Sequence, residues 1–329
     1  MYKKSAILSA ALFLTLLFPV TVAAQGVENL VWAKKLEKQI GFLTSPLCEG
    51  RAPGTKGGSI SAFWLIDQYR KSGLMEMNGS YAHSFPFGDD KVGHNIVGML
   101  PASKKSPRDS YVIIGAHYDN LGKLGDTIYP GADSNASGVA ALINLASMFN
   151  YMKLIGRVYD HNIIFVAFDA KLASMAGSEA LYKAMEESRL TDPLTGKAVT
   201  PDKVDMVVNL EQMGSSLSPL RSGRKDFLIM LGNQTMPKVD QDMAHFVNQL
   251  YRTDLELAFD YYGSSKFTEV FFRKVTDLKV FVENNIPSIL FTSGITMKTN
   301  KPDDNVESLQ LDVLAKRIIF IYHWIENML

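Results

Sequence analysis

The sequence predicts an α/β fold: a three-layer sandwich in which a mixed, mainly parallel sheet is flanked by helices. Three observations carry this reading. Short, continuous apolar runs rich in β-branched residues recur along the chain, as strands do when both sheet faces are covered. Segments with apolar residues at helical spacing lie between them, the alternation that builds parallel sheets. A length of 329 residues with 47% hydrophobic content is also enough for a substantial core. No repeat, low-complexity tract or Pro/Ser-rich linker divides the chain, so the expected organisation is a signal segment over 1–24 and a single domain over 25–329.

The first element is processing sequence. Lys3 and Lys4 precede the nearly all-apolar run Ala6 to Phe18, and Val22-Ala23-Ala24 supplies small residues before Gln25, the order of a secretory signal. The apolar run to Ala24 approaches spanning length, so a retained anchor is the alternative; the A-x-A-like site favours cleavage. The expected location is therefore exported, periplasmic or extracellular, with no membrane span after cleavage. No cysteine follows the apolar run to take a lipid; Cys48, the sole cysteine, cannot form an internal disulfide and reads as a small buried hydrophobe.

Leu30 to Leu74 reads as helix, loop, helix, broken by the turn-rich Gly50-Arg51-Ala52-Pro53-Gly54-Thr55-Lys56-Gly57-Gly58. The strands follow: Asn95 to Leu100, Tyr111 to Gly115, Asn162 to Phe168, Met206 to Leu210, Phe227 to Leu231 and Ser288 to Phe291. Val139, Leu142, Ile143, Ala146 and Phe149 form one helical stripe, with Ser134, Asn135 and Ser137 available as caps. Leu311, Leu314, Ile318, Ile321 and Ile325 form the last.

Charge is balanced, 34 basic against 34 acidic residues, and no basic stripe interleaved with aromatics occurs. No nucleic-acid partner is expected. The chemistry should lie where strands end, since α/β sheets build their sites at the carboxyl ends of strands. After the second strand stands Gly115-Ala116-His117-Tyr118-Asp119, in which a histidine leaves a buried strand with a carboxylate two residues on. Such a pair fits a metal ligand with its orienting partner, or a hydrogen-bonded structural histidine. No G-x-S-x-G elbow or phosphate loop is present, and His83, His94, His161, His245 and His323 show no metal spacing among themselves.

Pro130-Gly131-Ala132-Asp133-Ser134-Asn135-Ala136-Ser137-Gly138 is more specific. With Phe165-Val166-Ala167-Phe168-Asp169-Ala170 and Gly177-Ser178, it resembles the zinc exopeptidases of metallopeptidase family twenty-eight: bacterial leucyl aminopeptidase, aminopeptidase Y and the glutaminyl cyclases. The resemblance runs from Glu49-Gly50-Arg51 through Ile286-Pro287-Ser288 to Lys301-Pro302. It implies a zinc-aminopeptidase-like (phosphorylase/hydrolase-like) fold. It also implies that His117 matches the first zinc ligand and Asp119 its orienting carboxylate. The bridging aspartate of the family falls on Ser134, with Asp133 matching the aspartate before it. The general-base and ligand glutamates fall on Lys171 and Leu172. Glu211, in Asn209-Leu210-Glu211-Gln212-Met213-Gly214, matches a ligand aspartate, and Asn300, before Lys301-Pro302-Asp303-Asp304, replaces a ligand histidine. The family's S-D-H-Y-P-F segment reads Thr276-Asp277-Leu278-Lys279-Val280-Phe281, without the histidine.

These substitutions bear on mechanism. A catalytic zinc needs three protein ligands, and a two-metal site needs a bridging carboxylate. Only His117 and Glu211 retain donors of the right class, as vestigial metal candidates belonging to different ions. An ammonium at Lys171 cannot accept a proton from metal-bound water and repels a cation. The expectation is a catalytically inactive family member, with no confident metal site and no cofactor, that binds a peptide, protein or glycan; the nicastrin and transferrin-receptor ectodomains look like this fold without acting as peptidases. Lys171 is then expected to pair with Glu211 or Asp133 in the volume the metal held. The alternative is an active metallo-aminopeptidase or related hydrolase with a rebuilt, single-metal zinc site on His117, Glu211 and a neighbouring aspartate. Gly232 to Tyr261, which the resemblance aligns least, is the stretch left to carry specificity.

Overall fold

A computed structural model of the chain describes residues 26–103, 109–217, 220, 222–232, 237–261 and 263–329. The expected signal segment over 1–24 lies outside the described residues. Every predicted strand forms, and the strands that sequence alone did not reveal are short or lie on the sheet's flanks. The main sheet contains β1 (Met75–Glu76), β2 (Ala82–Phe87), β3 (Lys91–Leu100), β4 (Tyr111–His117), β7 (Asn162–Phe168), β8 (Val204–Glu211), β9 (Phe227–Gly232), β10 (Glu256–Ala258) and β11 (Ser288–Thr292). β5 (Gly122–Leu124) and β6 (Thr127–Tyr129) form a separate two-stranded ribbon.

The strand order is β1-β3-β7-β4-β8-β11-β9-β10, with β2 also on β3. The centre is parallel: β7 with β4, β4 with β8 and β8 with β11. Antiparallel pairing occurs toward the flanks, where β3 meets β7 and β11 meets β9. The continuous apolar runs have a direct cause. In β4, Val112, Ile114 and Ala116 join one core while Tyr111 and Ile113 join the other, because successive side chains point to opposite faces.

The first core packs under α1 (Ala33–Leu43), α2 (Lys56–Lys71), α3 (Ser137–Leu154), α5 (Lys238–Leu250) and α8 (Leu311–Met328). The second lies under α4 (Ala176–Glu186), α6 (Ser265–Lys274) and α7 (Lys279–Glu283). Cys48 is buried, its thiol 3.3 Å from the Phe42 carbonyl. The least aligned stretch, Gly232 to Tyr261, contributes the end of β9, then α5 and β10; residues 233–236 lie outside the description.

The expected caps of α3 are a correction. Its N-cap is Ala136, without a side-chain cap, and the Ser137 hydroxyl donates to the Asp133 carbonyl at 2.9 Å. Asn135 leaves the helix for the strand ends: its amide donates to the Leu210 carbonyl at 2.8 Å and accepts from the Gln212 amide at 2.8 Å. These polar groups tie the helix entrance to β8, which positions the site. Gly177 does similar work where α4 begins: a Cβ there would lie 2.2 Å from the Asp169 carbonyl oxygen, so only glycine lets the helix approach so closely.

Candidate functional site

The strand order β7-β4-β8 places three consecutive strand ends side by side. His117 closes β4, Glu211 closes β8, and Lys171 follows β7. Because β4 lies between the other two, Lys171 and Glu211 meet over His117. The Lys171 Nζ donates to Glu211 Oε1 at 2.7 Å, and His117 Nε2 donates to the same oxygen at 3.2 Å. All three side chains are nearly or fully buried, Lys171 with 11% of its side chain exposed and the other two with 1%.

The hydrogen bonds fix the protonation of His117. Its Nδ1 faces the carbonyl of Asp119 at 3.1 Å, a pure acceptor, and its Nε2 faces a carboxylate. Both ring nitrogens therefore carry protons, and the ring is an imidazolium. Electrostatics agree: burial pulls the ring's pKa down, but the Glu211 charge and the bonds to Asp119 and Glu211 outweigh it and raise it to about 9. Burial likewise pushes the Glu211 carboxyl up, yet Lys171 and His117 hold it at about 2. Burial works against the Lys171 ammonium, and Glu211 more than offsets it, so its pKa ends raised.

The His117 linkage predicts a pH dependence. A group at 6.5 when unfolded and about 9 when folded contributes stability that is fully present below pH 6.5 and lost as pH rises through 9. Urea unfolding of chelator-treated protein should therefore show stability falling over that interval, and His117→Gln should remove this part of the slope. A wild-type profile that is flat or rising there contradicts the assignment.

The Asp119 carboxylate lies beside the imidazole, its Oδ1 3.4 Å from His117 Nδ1, and it also holds the loop after β7. Its Oδ1 and Oδ2 accept from the amides of Lys171 at 3.1 Å and Leu172 at 3.2 Å, while the imidazole takes the Asp119 backbone carbonyl. Asp133 turns away from Lys171: its Oδ1 accepts from the Gly214 amide at 2.7 Å and the Ser215 amide at 3.2 Å. Burial and nearby Asp304 push the Asp133 carboxyl up to about 7. Ser134 is held through its backbone, its amide donating to Asp304 Oδ2 at 3.0 Å. Leu172 is 41% exposed and Asn300 is exposed, and neither takes part in the buried cluster.

Four residues of the surroundings carried no assigned role in the sequence reading. Arg51 is fully buried, its guanidinium donating to the carbonyls of Leu43, Pro130, Gly131 and Tyr118 and so clamping the loops after β4 and before α3. Arg317 does the same for Met213, Ser215 and Phe227. Asp304 accepts from the amides of Asp133 and Ser134. Asp277 is fully buried, with neither carboxyl oxygen hydrogen-bonded; burial, partly opposed by His117 and Lys171, pushes it up to about 7. Arg51, Asp277 and Asp304 lie in the very segments that carry the resemblance, which was the available signal.

The donors present do not fit a zinc pair. The His117 lone pairs are both protonated, Glu211 Oε1 is shared by two cations, and a third position carries an ammonium. Among the described residues, no three His, Cys, Asp or Glu side chains converge with metal-holding geometry. What the cluster can do is neutralise itself: two cations against the Glu211 and Asp119 carboxylates.

Comparison with known proteins places this geometry in context. The model of peptidase family M28 matches residues 95–324. No curated protein matches the sequence. Among solved structures, the LapA aminopeptidase of Legionella pneumophila is 15% identical with a TM-score of 0.68, covering 92% of this chain and 72% of its own. The zinc aminopeptidase BSAP of Bacillus subtilis is 14% identical with a TM-score of 0.66, covering 90% and 95%. The glutaminyl cyclase of Porphyromonas gingivalis is 14% identical with a TM-score of 0.64, covering 91% and 99%. At these identities the likeness is one of fold.

Proposed function

This chain belongs to peptidase family M28, and we propose that it is an exported member that has exchanged hydrolysis for binding of a peptide, protein or glycan. The observation that carries this reading is the Lys171 ammonium 2.7 Å from Glu211, beside a doubly protonated His117. The family's general base is thereby replaced by a cation. A hydrolytic water needs a group that accepts its proton at working pH. Lys171 is kept charged, and the two cations on Glu211 Oε1 hold its carboxyl at about 2, too weak a base to take that proton, so neither serves.

Export rests on the N-terminal sequence; among the described residues no helix is long and apolar enough to cross a membrane. Metal content after purification with excess zinc, measured together with aminoacyl-anilide turnover, tests the reading. Protein without bound zinc and without turnover is expected. Stoichiometric zinc with turnover abolished by His117→Ala would overturn it in favour of a rebuilt single-metal hydrolase on His117, Glu211 and a neighbouring aspartate.

A further inference from the structure

Among the described residues, the β2 strand pairs with β3 on one side only. Val97 donates to the Tyr81 carbonyl at 2.7 Å, and Ala82 stands opposite Ile96. In an antiparallel ladder, hydrogen-bonded and non-bonded pairs alternate. His83 and Phe85 therefore spend their backbone groups on β3, whereas Ala82, Ser84 and Pro86 turn theirs to the open side. The Ala82 amide is taken by the Ser80 hydroxyl at 3.0 Å. Pro86 has no amide to offer. Ser84 is exposed, and its N–H and C=O point off the ladder.

A cleft of about 450 Å³ lies along this strand, between His83 to Pro86 and the α4 residues Ala176, Glu179, Ala180 and Lys183. A second of about 120 Å³ continues it toward Asn78 and Leu190, sharing His83 and Ser84. Together they make one groove running the length of β2. Its far wall has small residues at Ala176 and Ala180, one helical turn apart, which leaves room for a chain against the helix. The charges on that wall are already matched: Glu187 with Arg189 at 2.6 Å and with Lys183 at 3.8 Å, and Glu179 with Lys279 at 3.5 Å. Burial and the neighbouring Arg189 lower the His83 pKa, which keeps that ring neutral too.

We propose that this groove docks an extended, uncharged polypeptide segment, which adds to the sheet by pairing with the open edge at Ser84. An unpaired strand edge supplies main-chain hydrogen bonds to an incoming strand, and the flanking surface selects its side chains. The charged groups lining the wall, Glu179, Lys183, Glu187 and Arg189, sum to zero, so the wall favours neither sign of charge in the segment, and the Ala176–Ala180 trough takes small side chains. The groove is lined by none of the altered zinc positions, so this holds whatever those positions bind.

Short linear peptides selected from a phage-displayed library on the full chain provide the probe. They should slow hydrogen exchange at the Ser84 amide. Their affinity should fall by about tenfold or more, about 1.4 kcal/mol, in both Ser84→Pro and Ala180→Arg, and stay unchanged in Leu172→Arg. Ser84→Pro removes an amide that points off the ladder together with the exposed Ser84 hydroxyl contact to His94 Nδ1 at 2.9 Å, so Ser84→Ala, which loses only the hydroxyl, should keep wild-type affinity; Ala180→Arg fills the trough without touching the strand. Failure to select any peptide overturns the proposal, as do peptides that bind both variants at wild-type strength or respond to Leu172→Arg. A sedimentation mass of two chains that Ser84→Pro reduces to one overturns it as well, because the edge would then serve self-pairing.

Discussion

Replacing Lys171 by methionine should lower the stability of chelator-treated protein by about 3–5 kcal/mol, the cost of breaking a buried ion pair by removing one partner. The size follows from what remains. Glu211 is buried to 1% exposure, and its Oε2 has no hydrogen-bond partner, so its charge rests on Oε1, shared by Lys171 at 2.7 Å and His117 at 3.2 Å. Methionine fills the volume of the lysine stem but supplies no donor. Pairing the change with Glu211→Gln should recover much of the loss, because the excess negative charge, one cation against the Glu211 and Asp119 carboxylates, is then gone. Urea unfolding of the two single variants and the double variant measures the coupling directly. A single-variant cost below about 1 kcal/mol, the range of exposed pairs, would show that the ammonium is not held in this cluster.

How far this cluster was legible in the sequence depends on which distances are local. The central strands were readable because both faces of β4 and β7 are buried, which writes Tyr111 to Gly115 and Asn162 to Phe168 as unbroken apolar runs. β2 and β10 were not, since edge strands are half-exposed: β2 buries only Phe85, its Ser84 and Pro86 face outward, and a proline inside a short run argues against a strand. The identities at Lys171, Glu211 and His117 were visible from the motif positions. Their mutual geometry required knowing that β4 separates β7 from β8, which is a property of topology. A second task of Asp119 was not legible for a related reason: the loop after β7 brings the amides of Lys171 and Leu172 to its carboxylate, and no local pattern marks that approach. Helix capping failed at α3 because tertiary partners, the Leu210 carbonyl and the Gln212 amide, compete successfully for Asn135.

If the fold is intact and only the donors are missing, putting them back should restore a metal centre. The combined variant Ser134→Asp, Lys171→Glu, Leu172→Glu and Asn300→His, with His117 and Glu211 retained, should bind zinc where the wild type does not. The backbone is suited to it. Ser134 is already anchored through its amide to Asp304, and Asn300 sits at φ 59, a left-handed conformation that histidine adopts more readily than most residues. Electrostatics set the expected signature. Exchanging one buried cation for a carboxylate and adding two more carboxylates leaves the metal-free variant with excess negative charge, so it should unfold at lower urea than wild type. Zinc at a hundredfold over its Kd should then return about 2.7 kcal/mol. The wild type should show no such zinc-dependent shift, because its imidazolium and ammonium already neutralise Glu211. Equal zinc responses in the two proteins would mean that the lysine does not exclude the metal, and an unresponsive variant would mean that more than the donors has been lost.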